Sequence, residues 1–152
     1  MGQPSLPWTG GCRCGRVRFK VTAAPLITMA CHCTGCQRMT SSAFSLSALF
    51  AADAFEVTEG EPVIGGLHGE DVRHFFCPYC MSWMFTRPAA APGFVNVRST
   101  LFDGVEGLEP YAETFVSEKL PWATTPAVVS FAEFPPEGAW GALMQEYAGR
   151  KG

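Results

Sequence analysis

Apolar and polar positions alternate along this chain in short runs. Residues 16–21, Arg-Val-Arg-Phe-Lys-Val, alternate strictly, the signature of a strand with one wet face and one buried face. Residues 26–30 form an apolar run that reads as a short buried strand. Residues 43–50 alternate imperfectly and predict another strand, and residues 54–59 and 62–64 predict two short ones with Gly60-Glu61 turning between them. Residues 71–76 and 83–86 read as the two arms of a hairpin, and residues 94–98 alternate again. Residues 101–110 are turn-rich, residues 112–118 read as a strand, and Pro126, Pro135 and Pro136 bracket an apolar run over 127–131. Helical spacing is strong once, where Trp140, Leu143, Met144 and Tyr147 fall on one face, with Gly149 as the expected stop. Residues 34–39 allow one further helical turn, with Thr34 as its N-cap. Many short strands with Gly and Pro between them and little helix predict a mainly β fold with a short C-terminal helix.

Composition narrows the class. A chain of 152 residues, 47% apolar and 16% charged, suits a single domain over residues 1–152 with a sizeable core. The net charge of −3 gives no electrostatic case for nucleic acid or an anionic membrane as main partner. No run approaches the ~20 apolar residues of a spanning helix. The opening residues, Met1-Gly2-Gln3-Pro4-Ser5-Leu6, lack the basic and apolar regions of a signal peptide.

The chemistry lies in seven cysteines, an odd number grouped as C-x-C, C-x-C-x-x-C and C-x-x-C. That grouping suits metal ligation in a reducing cytoplasm better than a secreted disulfide framework. Cys31-His32-Cys33-Thr34-Gly35-Cys36 places three thiols within six residues. If Cys31 and Cys33 are extended, their side chains leave one side of the backbone, and the Thr34-Gly35 step turns Cys36 back to them. Three thiolates at ~2.3 Å occupy three corners of a zinc tetrahedron and leave the fourth free. The alternative is a site closed by His32, His68 or His74, although His32, lying between two ligands, should point away from the metal. Cys77-Pro78-Tyr79-Cys80 supplies two ligands and needs a second pair. Cys12 and Cys14 are the spare one for a closed structural zinc, but spacing alone also lets that pair complete the first cluster. A C-x-x-C redox pair is the remaining alternative, against which the missing βαβ context counts.

An open three-cysteine zinc carries a net charge of about −1 and is a poor activator of water, yet its softness suits one more sulfur. A thiol bound there loses its proton and becomes a nucleophile at neutral pH. The pattern therefore points to a thiol substrate and away from hydrolysis.

Gly10-Gly11-Cys12-Arg13-Cys14-Gly15, Cys31-His32-Cys33-Thr34-Gly35-Cys36-Gln37-Arg38 leading to Ser42-Ala43-Phe44, Phe76-Cys77-Pro78-Tyr79-Cys80 and Pro121-Trp122 together resemble the glutathione-dependent formaldehyde-activating enzyme and centromere protein V family. The resemblance spans about residues 8–122 and leaves a C-terminal extension with a helix at about 137–149. It implies several coiled antiparallel sheets clipped by zinc knuckles, similar to the Rab exchange-factor chaperones. It implies two zinc ions per chain: a structural one on Cys12, Cys14, Cys77 and Cys80, and a catalytic one on Cys31, Cys33 and Cys36 with an exchangeable fourth position. The family's activity joins formaldehyde to glutathione as S-hydroxymethylglutathione, formally a carbon–sulfur lyase reaction. One departure is Met81, where the family has glycine; a side chain there disfavours a left-handed turn and predicts a differently shaped knuckle.

Glutathione carries two carboxylates, so its pocket should offer cations. Arg38, next to the open cluster, is the first candidate, ahead of Arg13, Arg73, Arg98 and Lys119, which read as solvated charges. Phe44 and Trp122 could wall a pocket or belong to the core. The expected function is activation of a small thiol such as glutathione for addition to, or release from, a small carbonyl compound. The alternatives are a non-catalytic zinc-stabilised binding module and a thiol- or zinc-responsive protein. No dinucleotide, phosphate-loop or serine-nucleophile motif occurs.

Overall fold

The computed structural model describes residues 3–67 and 69–151. Among them, eleven strands fall into two sheets, and the only longer helix lies near the C-terminus. The chain divides into two compact units, Met1–Pro25 with Leu49–Leu108 and Leu26–Ala48 with Glu109–Gly152.

In the first unit, β1 (Trp8–Gly11), β2 (Arg18–Val21) and β5 (Phe55–Glu59) form an antiparallel sheet in the order β1-β2-β5. The alternation in β2 is physical: Phe19 and Val21 are buried while Arg18 and Lys20 stay half-exposed. Phe19 packs on Phe55 at 5.5 Å and edge-on to Phe102 at 5.2 Å, the centre of an aromatic core joined by Trp8 and Phe50. Each fully buried aromatic contributes roughly 1.5–3 kcal/mol by leaving water. Gly10 is required by close approach, since a Cβ there would sit 2.4 Å from the Leu101 carbonyl oxygen and 2.6 Å from the Phe19 ring.

The same unit carries the antiparallel run β9-β8-β7-β6, built from β6 (Val63–Gly65), β7 (Val72–Phe76), β8 (Trp83–Pro88) and β9 (Phe94–Arg98). Phe75 faces Phe85 across the β7–β8 hairpin, and the two rings stack at 4.7 Å. A bulge between Phe75 and Phe76 shifts the register as the hairpin reaches Cys77. A bulge next to a ligand loop re-aims the side chains that follow it.

In the second unit, β3 (Ile27–Cys31) is buried along its first four residues. It lies between β10 (Ala112–Thr114) and β4 (Ser45–Ala51), of which residues 45–48 belong to this unit, and β11 (Val129–Ser130) adds to β10. The β3–β10 and β10–β11 pairings are parallel, with Thr114 opposite Cys31, where wholly antiparallel sheets were expected. The long connection from β3 to β10 permits this, because parallel neighbours need a crossover and cannot be joined by a tight turn. β10 ends at Thr114 instead of running on to residue 118, because Phe115 adopts φ 56° and a 3-10 turn over Val116–Glu118 follows.

Helix α1 (Thr34–Thr40) begins directly after β3, and its N-cap is Cys33, not Thr34. Helix α2 (Trp140–Lys151) packs on β3 and buries Leu143 and Tyr147, as its apolar spacing requires. It continues through Gly149, the expected stop; a lone glycine costs a helix only about 1 kcal/mol. Among the described residues, no helix is long and apolar enough to cross a membrane.

Candidate metal centres

The first centre lies within the first unit. The chain leaves β1 at Gly11 and turns through Cys12 and Cys14, with the Gly15 amide donating to the Cys12 carbonyl at 3.1 Å. The β7–β8 connection makes a matching knuckle, in which the Met81 amide donates to the Cys77 carbonyl at 3.0 Å. The Arg13 amide donates to Ser82 Oγ at 3.1 Å and fastens one knuckle to the other. The Arg16 guanidinium lies 3.3 Å over the Tyr79 ring centroid, a second tie between them.

The four sulfurs of Cys12, Cys14, Cys77 and Cys80 lie within 4.8 Å of one another. Cys12 Sγ is 3.6 Å from Cys14 Sγ, which is 3.8 Å from Cys77 Sγ. Four ligands ~2.3 Å from a zinc ion have tetrahedral edges of ~3.8 Å, so these separations suit the ion. A disulfide would need ~2.05 Å, and all seven cysteines are free. Backbone amides point at the sulfurs: Val17 at Cys12, and Tyr79 and Cys80 at Cys77, at 3.4–3.5 Å. Such donors favour thiolates. Burial raises the Cys80 thiol, but hydrogen bonds from Ser82 and its neighbours outweigh it and bring the group down to about 5. The Arg16 backbone lowers Cys14, yet burial and the adjacent thiols push it up to about 11. A divalent cation would relieve that competition by taking all four as thiolates.

Met81 does not alter the knuckle as expected. It adopts φ 60°, the left-handed turn that glycine would make most easily, and keeps its side chain largely in solvent.

The second centre lies within the second unit. Cys31 ends β3, Cys33 caps α1 in an extended conformation, and Cys36 sits in the first turn of α1. The Cys36 amide donates to Cys33 Sγ at 3.2 Å. The extended backbone puts Cys31 and Cys33 on one side, the turn delivers Cys36, and the three sulfurs gather within 4.8 Å of one another. All three are half-buried. The Cys36 thiol pulls Cys31 down to about 5, helped by Thr114 and Cys33 against burial. Cys31 and burial push Cys36 up, and burial first of all raises Cys33. One anion shared among three sulfurs is what a soft divalent ion would complete.

His32 points the other way, as alternation requires. It is fully buried, its Nε2 lies 2.8 Å from Glu113 Oε1, and its ring meets Phe44 edge-on at 5.3 Å. Glu113 also accepts from Thr125 Oγ1 at 3.0 Å and Ser130 Oγ at 2.7 Å. Burial works against it, but bonds from Ser130, His32 and Thr125 hold its carboxyl below the ordinary value. His74 pairs its Nδ1 with Thr86 Oγ1 at 2.9 Å, and His68 lies outside the described residues. Among the described residues, no histidine or carboxylate joins the three sulfurs.

The cations separate clearly. Arg38, at the end of α1, is exposed, as are Arg13 and Arg73, while Lys119 is half-buried. Arg98 is 9% exposed and lies 4.0 Å over the Trp83 ring, so it is a core residue and not a solvated charge. Trp122 is 73% exposed and does not belong to the core. Glu118 escaped the sequence reading: its carboxylate accepts the Thr34 amide at 2.8 Å, and its carbonyl accepts from Gln37 at 3.1 Å, which fastens α1. Glu113 escaped it too, although an acidic residue between Ala112 and Thr114 in a buried strand was the available signal.

A sequence model of the glutathione-dependent formaldehyde-activating enzymes matches residues 7–118. The crystal structure of a Rhodobacter sphaeroides protein is similar, with a TM-score of 0.54 and 21% identity over 64% of this chain and 90% of that one. That likeness is one of fold.

Proposed function

The chain belongs to the glutathione-dependent formaldehyde-activating enzyme family, and from that premise we propose that it is a zinc-dependent carbon–sulfur lyase acting on a small thiol and a small carbonyl compound. The observation that carries the reading is the gathering of Cys31, Cys33 and Cys36 with no fourth described protein ligand beside them. Cys12, Cys14, Cys77 and Cys80 would hold a second, structural zinc. Bound at the three-sulfur centre, zinc would supply a soft Lewis acid that favours the thiolate of an added thiol.

The chain's own residues do the rest. Cys31, Cys33 and Cys36 present a sulfur face to the substrate, and their charge disfavours hydroxide as the added ligand. Arg38, exposed in the last turn of α1 two residues after Cys36, would offer a cation for a glutathione carboxylate. In the forward direction the substrate sulfur bonds to the carbonyl carbon, the carbon–oxygen π bond opens, and the thiol proton ends on that oxygen. The reverse direction returns the thiol and the carbonyl compound. Seven free thiols suit a reducing compartment, and we assign the protein to the cytoplasm.

The test is metal content and glutathione binding in the intact chain and in Cys33→Ser. Two zinc ions per chain falling to one, with glutathione binding and S-hydroxymethylglutathione formation above the background rate both lost, supports the reading. Unchanged binding in the variant overturns it. Zinc at both centres without glutathione binding would instead make the protein a zinc-stabilised binding module.

A further inference from the structure

Cys31 and Cys33 converge only while the residue between them stays on the opposite face. His32 is that residue, and its placement depends on few groups. Its backbone amide donates to the Thr114 carbonyl at 3.0 Å, which docks the knuckle on β10. Its ring is wholly buried, with Phe44 edge-on. Of its two ring nitrogens, Nε2 meets Glu113 at 2.8 Å, and the buried Nδ1 finds no partner among the described residues. The ring's polar orientation therefore rests on one carboxylate. That carboxylate is itself fixed, because Oε1 also accepts from Thr125 and Oε2 from Ser130. Adjacent residues of β10 project to opposite faces, so Glu113 reaches the ring while Thr114 lies directly opposite Cys31 on the other face.

We propose that Glu113 is a positioning residue for the three-sulfur centre: it anchors the His32 ring behind the strand and so holds Cys31 and Cys33 at the separation a metal needs. The inference rests on the reading of that centre as a metal site. His32 is not a ligand here, yet it performs the task that a carboxylate performs for a ligating histidine, fixing an orientation from behind. Outer partners of that kind are worth 10–100-fold in metal affinity. Without Glu113 both ring nitrogens would be buried and unpaired, a cost the chain could relieve only by turning His32 about its backbone, which would also turn the peptide units that aim Cys31 and Cys33.

Cobalt(II) titration tests this, followed by the sulfur-to-metal absorption band and by competition with a chelator. Wild type should take two equivalents. Glu113→Ala should bind the second 10–100-fold more weakly, with an altered band, while the first is unchanged. Glu113→Gln, which keeps an acceptor for His32, should recover most of that loss. If the alanine variant fails to fold, His32→Phe keeps the buried ring but removes the N–H, and it should weaken the second equivalent to the same degree. Three results would overturn the proposal: wild-type affinity in both disruptive variants, equal weakening of both equivalents, or no recovery in Glu113→Gln. A wild-type chain that takes only one equivalent would refute the two-centre reading itself, and this inference with it.

Discussion

Met81 holds φ 60° with a side chain that is 56% exposed, so the left-handed turn brings it little packing in return. An L-residue in that region costs about 1–2 kcal/mol, part of which glycine gives back through its freer unfolded state. Met81→Gly should therefore stabilise the zinc-loaded protein by up to about 1 kcal/mol, read from urea midpoints at fixed zinc. An unchanged or lower midpoint would mean that the methionine contributes packing. At Arg38 the expectation is kinetic. Arg38→Ala should raise the glutathione KM by about tenfold and leave kcat within a factor of two, because a carboxylate contact remote from the reacting sulfur binds ground and transition states alike. A fall in kcat at constant KM would place Arg38 in the chemistry instead. At this scale the sequence is legible where geometry is local. The opposite facing of His32 and its two cysteine neighbours follows from strand alternation. The fate of Arg98 does not, because its burial against Trp83 depends on a neighbouring strand.

Among the elements, the two centres build sulfur clusters across very different chain separations. The turn after β1 and the turn between β7 and β8 face their sulfurs to each other, with Cys14 and Cys77 separated by 63 residues of chain. A metal there closes a long loop, and the ~10–16 kcal/mol of a structural zinc site rivals the whole stability of a domain, ~5–15 kcal/mol. The β3–α1 knuckle draws its three sulfurs from six consecutive residues and closes no such loop. Cys77→Ser should accordingly unfold or severely destabilise the first unit. Cys36→Ser should cost one metal equivalent and the activity while leaving far-ultraviolet circular dichroism unchanged. Equal loss of structure in both variants would contradict this division. Alternation and turn residues reveal most strands, including β9 to the residue, since each is a local pattern. They do not reveal that β10 stops at Thr114. What ends it is Phe115, held in a left-handed turn by the hydrogen bond its backbone N–H donates to the Glu133 carbonyl at 3.1 Å, a partner far along the chain. Nor does alternation distinguish the parallel β3–β10 pairing from an antiparallel one, because both place the same residues inward.

For the molecule as a whole, what matters is how the seven thiols are shared out. Cys12, Cys14, Cys77 and Cys80 all belong to the first unit, and Cys31, Cys33 and Cys36 all belong to the second. Each unit thus carries one centre built from its own residues, four sulfurs in one and three in the other. Four protein ligands hold an ion more firmly than three, and under the proposed reaction the three-sulfur centre would exchange its fourth ligand at each turnover. A graded series of chelator concentrations should therefore strip the metals in two steps. At the first step, native mass spectrometry should show one ion lost, and amide hydrogen exchange should quicken around residues 31–36. Exchange in β1, β2, β7 and β8 should stay slow until the second step, when the clip between the two knuckles opens. Binding of a thiol to the three-sulfur centre should move only the first step to higher chelator concentration, by mass action on the state that binds it. Loss of both ions at one chelator concentration, with exchange quickening in both sets of residues together, would mean that the two centres are energetically a single unit and that the three-sulfur site is as structural as the other.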